Sequence, residues 1–151
     1  MKNILLILLP LLAMLSTGCT HNDGDIGPWF GTWQLEEITA DGDVETAYNH
    51  DIFWQFQNTV FCMRKVTALH DNLPRWGTWK ENGDNVLQLN FTHHDSEYEA
   101  GSTKYSPFPE THIPVNAITD LNILEMNRSR LVLQYHADDG SVYTYYLKKW
   151  Q

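Results

Sequence analysis

The chain has 151 residues, with 10 Lys and Arg against 19 Asp and Glu, a formal charge of −9 with histidine neutral. That balance, with no clustered basic face, argues against a nucleic-acid binder. The length suits one domain with its own core and not two, and two cysteines are too few for a disulfide framework.

Met1-Lys2-Asn3 carries one positive charge, residues 4–15 are apolar, and Ser16-Thr17-Gly18 places small residues directly before Cys19. This is the layout of a secretory signal over residues 1–18. The apolar run is too short to span a bilayer, which takes about 20 residues. The segment resembles the lipobox of bacterial lipoproteins, which implies that Cys19 becomes the lipid-modified mature N-terminus and the link to the membrane. Two or more acyl chains anchor stably. Ser16 stands where the lipobox usually has a large aliphatic residue, so plain secretion is the alternative. Residues 19–28, polar and bearing glycine, are expected to form the lipidated N-terminus and a flexible tether. Thr20 differs from the aspartate of the inner-membrane retention signal, and the resemblance therefore implies the outer membrane. Asp23 and Asp25 are read either as a mark for cell-surface display or as an ordinary solvated linker.

The folded domain is expected over residues 29–151. Residues 31–38 alternate in polarity, Trp33 and Leu35 against Gln34 and Glu36, the period of a half-buried strand. Further strands are expected at 52–57 and 59–66, turned at Asn58, and at 75–81 and 85–92, turned at Asn82-Gly83. The last three are 120–126, 130–136 and 142–149, with turns at Asn127-Arg128-Ser129 and Asp139-Gly140. The inward set of residues 59–66 is open, because Val60 and Cys62 compete with Phe61 and Met63. Cys62, the one cysteine besides Cys19, is expected to be a buried small hydrophobe. The only stretch suited to a helix is a turn around residues 114–118.

Eight sequential antiparallel strands with mostly tight links predict an all-β, eight-stranded up-and-down barrel, whose closure removes sheet edges. A two-sheet sandwich is the alternative. The long links are 39–51 and 93–119. The second holds Pro107, Pro109 and Pro114 with Tyr98, Tyr105 and Phe108, which suits a packed flap.

Phe30-Gly31-Thr32-Trp33 and Trp76-Gly77-Thr78-Trp79 form a near-repeat, with each glycine placed where a neighbouring backbone or ring can approach closely. Gly31-Thr32-Trp33 opening an eight-strand meander resembles the lipocalin superfamily, whose first strand carries glycine-x-tryptophan at the closed end of the barrel. With the signal, lipid cysteine and tether, the plan is similar to the small lipocalin-like lipoproteins of Gram-negative gut bacteria. The resemblance implies a lipocalin-like barrel. It departs from typical lipocalins in having no expected helix after the last strand and no cysteine pair for their disulfide.

No nucleophile elbow, phosphate loop or dinucleotide fingerprint occurs, so no enzyme and no cofactor is expected. His93-His94-Asp95 is the densest potential metal cluster, but neighbours on a strand face opposite ways, and no metal site is assigned. Asp41, Asp43 and Glu45 imitate a calcium loop that lacks its glycine and its closing glutamate. The aromatic residues remain. As candidate ligand contacts at the barrel mouth the sequence offers Trp33, Trp54, Trp79, Phe91, Tyr105 and Tyr145, against the alternative that the same rings simply fill the core. Two functions follow. One is a lipid-anchored outer-envelope barrel binding a small apolar or amphipathic ligand, and the other is a filled barrel serving as an accessory module for a protein partner. An open pocket of roughly 300 Å³ would favour the first and a solid interior the second.

Overall fold

The computed structural model describes residues 27–93 and 103–150. The signal segment, Cys19, the tether before Gly27 and the His94-Asp95 pair lie outside the described residues.

The strands are β1 (Gly31–Ala40), β2 (Asp43–Val44), β3 (Ile52–Gln57), β4 (Val60–Val66), β5 (Asn72–Glu81), β6 (Val86–Asn90), β7 (Ile118–Met126), β8 (Arg130–His136) and β9 (Val142–Lys149). Each long strand pairs antiparallel with the next, and β9 pairs back onto β1, so β1 and β3 to β9 close an eight-stranded barrel. β2 is a two-residue return at the end of β1. It turns on Asp41-Gly42, both with positive φ, the dipeptide chemistry of a tight hairpin.

Period-two alternation sets which side chains fill the barrel. β4 turns Phe61 and Met63 inward, both fully buried, and these follow the buried inward residues Trp54 and Phe56 across the β3 ladder. Cys62 therefore faces outward, yet it is buried as well, with its thiol donating only a weak bond to the Met63 carbonyl at 3.6 Å. Burial pushes that thiol up from its usual pKa.

Two bulges repair the alternation where the sequence breaks it. In β1 the register shifts between Leu35 and Glu37, and in β7 between Ile123 and Glu125. Strict alternation past Leu35 would aim Glu37 at the core and Ile38 at solvent. The extra residue at Glu36 re-phases the strand so that Ile38 is fully buried.

The first long link carries β2. Past Gln34, β3 no longer pairs with β1. There the Tyr48 hydroxyl donates to the Leu35 carbonyl at 2.8 Å and accepts from the Ile52 amide at 3.2 Å, while the His50 ring meets the Glu36 carbonyl. These side chains extend the ladder where the backbone leaves it, because buried carbonyls need partners.

The helical turn expected at 114–118 does not form. Asn116 has φ 53 and the segment is a simple turn; single 3-10 turns occur instead at Thr103–Tyr105 and Pro109–Thr111. Five residues cannot offset the cost of helix nucleation.

One barrel end, where Trp29 and the 57–60, 81–86 and 126–130 turns gather, is closed by side chains. Trp33 donates its indole N–H to the Trp29 carbonyl at 3.0 Å, and Trp29 donates its own to Glu81 at 2.6 Å. Lys149 lies 4.2 Å from the Trp33 ring and donates to the Pro28 and Phe30 carbonyls. The other end is the mouth, ringed among the described residues by 40–52, 66–72, 90–93, 103–118 and 136–142.

Candidate functional site

The inward wall is aromatic from floor to mouth. Trp29, Phe56 and Trp79 sit at mutual ring distances of 5.0–5.3 Å above the closed end. Phe61 connects them to Trp54 at 5.4 Å and to Phe91 at 5.9 Å, and Trp54 meets Tyr145 at 5.5 Å. Leu87, Leu89, Leu121 and Leu133 fill the opposite wall, fully buried. Each buried side chain of this size contributes about 1.5–3 kcal/mol, so the lower barrel is first of all a core.

The mouth is stoppered by a segment from outside the wall. Residues 108–113 lie across it, with Phe108, Thr111 and Ile113 buried. Tyr145 donates from the wall to the Thr111 carbonyl at 2.7 Å. Burial raises the Tyr145 hydroxyl well above its ordinary pKa, so it remains a donor at neutral pH. Around the rim Lys65 pairs with Glu110 at 2.5 Å and with Asp51 at 3.6 Å. His112 contacts Glu45 at 2.8 Å and stacks on Tyr143 at 4.3 Å with rings 7° apart. The Arg75 guanidinium lies over the Phe108 ring, 5.0 Å from its centre.

The segment folds this way for local reasons. Pro109 opens a 3-10 turn in which the Thr111 amide and hydroxyl both bond to the Phe108 carbonyl, at 3.0 and 2.7 Å. His112 then takes φ 56 and reverses the chain, which carries Ile113 back toward the barrel.

Of the six aromatic residues offered by the sequence, Trp33, Trp54, Phe91 and Tyr145 face inward and are buried, and Trp79 is half-buried. Tyr145 touches the stopper through a hydrogen bond, while Trp33 belongs to the closed end. Tyr105 is apart from them. It shares an outer-wall hollow of about 320 Å³ with Val60, Trp76, Thr78 and His93. The mouth residues not foreseen are Tyr48, Lys65, Arg75, Glu110 and His112. A signal existed for two of them: in β4 and β5, Lys65 and Arg75 continue the inward phase of Phe61, Met63, Gly77 and Trp79 with cations.

Several buried polar atoms have no partner among the described residues, including the Trp54 and Trp79 indole N–H groups and the Thr119 hydroxyl. Such a group costs about 1–3 kcal/mol. Trp54 is fully buried within the barrel.

The outer wall has further hollows. One of about 550 Å³ lies beside the β1 bulge, lined by Glu36, Glu37, Arg130, Tyr146 and Lys148. Lys148 lies 3.8 Å from Glu36, and Arg130, above the Tyr146 ring, pairs at 3.3 Å with Glu125 outside the hollow. Among the described residues no three His, Cys, Asp or Glu side chains gather as metal ligands; His93 is 3.2 Å from the Asn90 amide.

A closed eight-stranded antiparallel barrel with Gly-x-Trp at its floor is a lipocalin-type architecture. The sequence matches the lipocalin-like domain model over residues 13–149, and the chain belongs to that family. A lipocalin-like protein from Bacteroides uniformis is similar at a TM-score of 0.59 and 18% identity, covering 82% of this chain and 100% of the other. An uncharacterized protein from Bacteroides eggerthii gives 0.61 at 22% identity, covering 81% and 99%. At these identities the likeness is one of fold. Among curated proteins no sequence matches.

Proposed function

We propose that this protein is a lipid-anchored, non-catalytic barrel of the outer envelope that binds a small apolar or amphipathic molecule at its mouth, in space opened when residues 108–113 withdraw. The carrying observation is the construction of the mouth. Its cover is a separate segment attached by rim pairs and one hydroxyl bond, and beneath it the wall is apolar and aromatic. Withdrawal of Phe108 and Ile113 removes two large apolar groups from the mouth, and the unpartnered Trp54 N–H offers an occupant a donor. Barrels of this size hold their own side chains or one small ligand, and a movable plug lets one barrel do both in turn.

The other reading, an accessory module for a protein partner, is favoured by a different observation. With the plug in place the rings above the closed end leave the barrel filled. Native mass spectrometry of the protein purified from its own envelope separates the two. A co-purifying small molecule, lost when Ile113→Trp overfills the mouth, is the expected result. A bare protein mass, with no binding across a panel of amphiphiles, would replace the ligand reading by the module.

A further inference from the structure

The lid carries its own polar group into the mouth. Glu110 follows Phe108 by two residues, so one short segment presents an apolar ring and a carboxylate together. The ring is buried, and the carboxylate rests on Lys65. The wall receives them with matching chemistry. Lys65 and Arg75 sit on adjacent antiparallel strands, Lys65 opposite Leu73 and Arg75 opposite Met63, so they are diagonal neighbours on one face. Arg75 covers the Phe108 ring and also feels the Glu110 charge.

We infer that Glu110 holds the place of a ligand's anionic headgroup: the molecule admitted at the mouth is an amphipathic monoanion, an apolar body ending in a carboxylate or sulfate, which displaces the lid by competing for Lys65 and Arg75. The inference rests on the mouth-binding reading and deepens it. The charge count supports a single negative charge. With the lid in place Lys65 and Arg75 face Glu110 and Asp51, and the group is neutral. Removing Glu110 leaves two cations against Asp51, an excess of one positive charge at the end of an apolar barrel. Among the described residues Glu110 and Asp51 are the carboxylates that act on Lys65, and Glu110 the one that acts on Arg75; Glu45, whose contact His112 leaves with the lid, acts on neither cation. A neutral ligand would leave Lys65 and Arg75 with Asp51 as their counter-charge at a partly solvated rim, which makes an anion the preferred occupant.

The test uses the chain from residue 19 onward with Cys19→Ser, so that no acyl chain competes, and titrates it with decanoate and with decanol by calorimetry. Loosening the lid helps both probes, so the readout is the ratio of their affinities. Glu110→Gln should raise the preference for decanoate about tenfold, the usual scale for a freed charge-assisted bond. Lys65→Met should abolish the preference, with near-ultraviolet circular dichroism showing the fold intact. Equal preference in the parent chain and in Glu110→Gln would overturn the headgroup assignment and leave mouth binding standing. Failure of both probes to bind any folded variant would overturn both.

Discussion

Gly31 and Gly77 open the same Gly-Thr-Trp tripeptide and meet different neighbours. At Gly77 an added Cβ would lie 2.7 Å from the Asn90 carbonyl oxygen and 3.1 Å from the Phe91 ring. The first contact is backbone in the β5 to β6 ladder and cannot swing away. At Gly31 the neighbour is the flexible Lys149 side chain at 3.3 Å, and the constraint is a φ of 111° instead. The near-repeat is thus a close-approach device at one site and a backbone device at the other. Gly77→Ala should destabilise by about 1–3 kcal/mol, the usual cost of overpacking, read as a lower midpoint in urea unfolding with unchanged slope. An unchanged midpoint would mean that Phe91 and the β6 backbone yield more easily than their packing implies.

At the scale of elements, the lid has a pH window set by its Lys65–Glu110 latch. Burial raises the Glu110 carboxyl, but the hydrogen bond and charge of Lys65 outweigh it and the net shift is downward. For Lys65 the bond to Glu110 raises the ammonium above its ordinary value. A lowered carboxylate stabilises above its unfolded pKa and loses that contribution as pH falls through the folded value; a raised ammonium loses its contribution as pH rises. The latch is therefore complete between about pH 4.3 and pH 10.4, the ordinary values of the two groups. Hydrogen exchange of the amides of residues 108–113, corrected for intrinsic rate, should lose protection on acidification below that range. Glu110→Gln should exchange faster at neutral pH and remove this part of the acid dependence. Equal protection in both chains would show that Tyr145 and the buried apolar groups hold the lid without the latch.

At the scale of the whole molecule, the strand count, the antiparallel meander and its closure were legible in the sequence, because alternation and turn residues are local signals. The β1 bulge was implicit in the same letters. Leu35-Glu36-Glu37-Ile38 spaces two core residues three apart, which no regular strand can bury on one face. The phase of β4 was not legible, since both faces of Phe61-Cys62-Met63 are buried and only the ladder to β3 decides which points in. The mouth was hidden for a stronger reason: Glu110 and His112 meet Lys65 and Glu45 across 45 and 67 residues of chain, distances at which sequence spacing carries no signal.

On the proposed reading, the barrel is held at a membrane by residues ahead of the fold. The formal charge of −9 disfavours adhesion to anionic lipid, so on this reading attachment would rest on Cys19 and the acyl chains expected there. Among the described residues no helix is long and apolar enough to span, and the strands turn residues such as Gln34, Glu36, Gln88, Asp120 and Lys148 outward, where a membrane barrel carries an apolar band. In the native host the parent chain should partition into the detergent phase of a Triton X-114 separation and incorporate labelled palmitate. Cys19→Ala should do neither while keeping the barrel's near-ultraviolet circular dichroism, because Cys19 precedes the first described residue by eight positions. One acyl chain binds only marginally and two or more bind stably, so partition should be nearly all or none. A Cys19→Ala protein that still entered the detergent phase would place the anchor elsewhere, and an unlabelled parent chain would assign Ser16-Thr17-Gly18 to ordinary secretion.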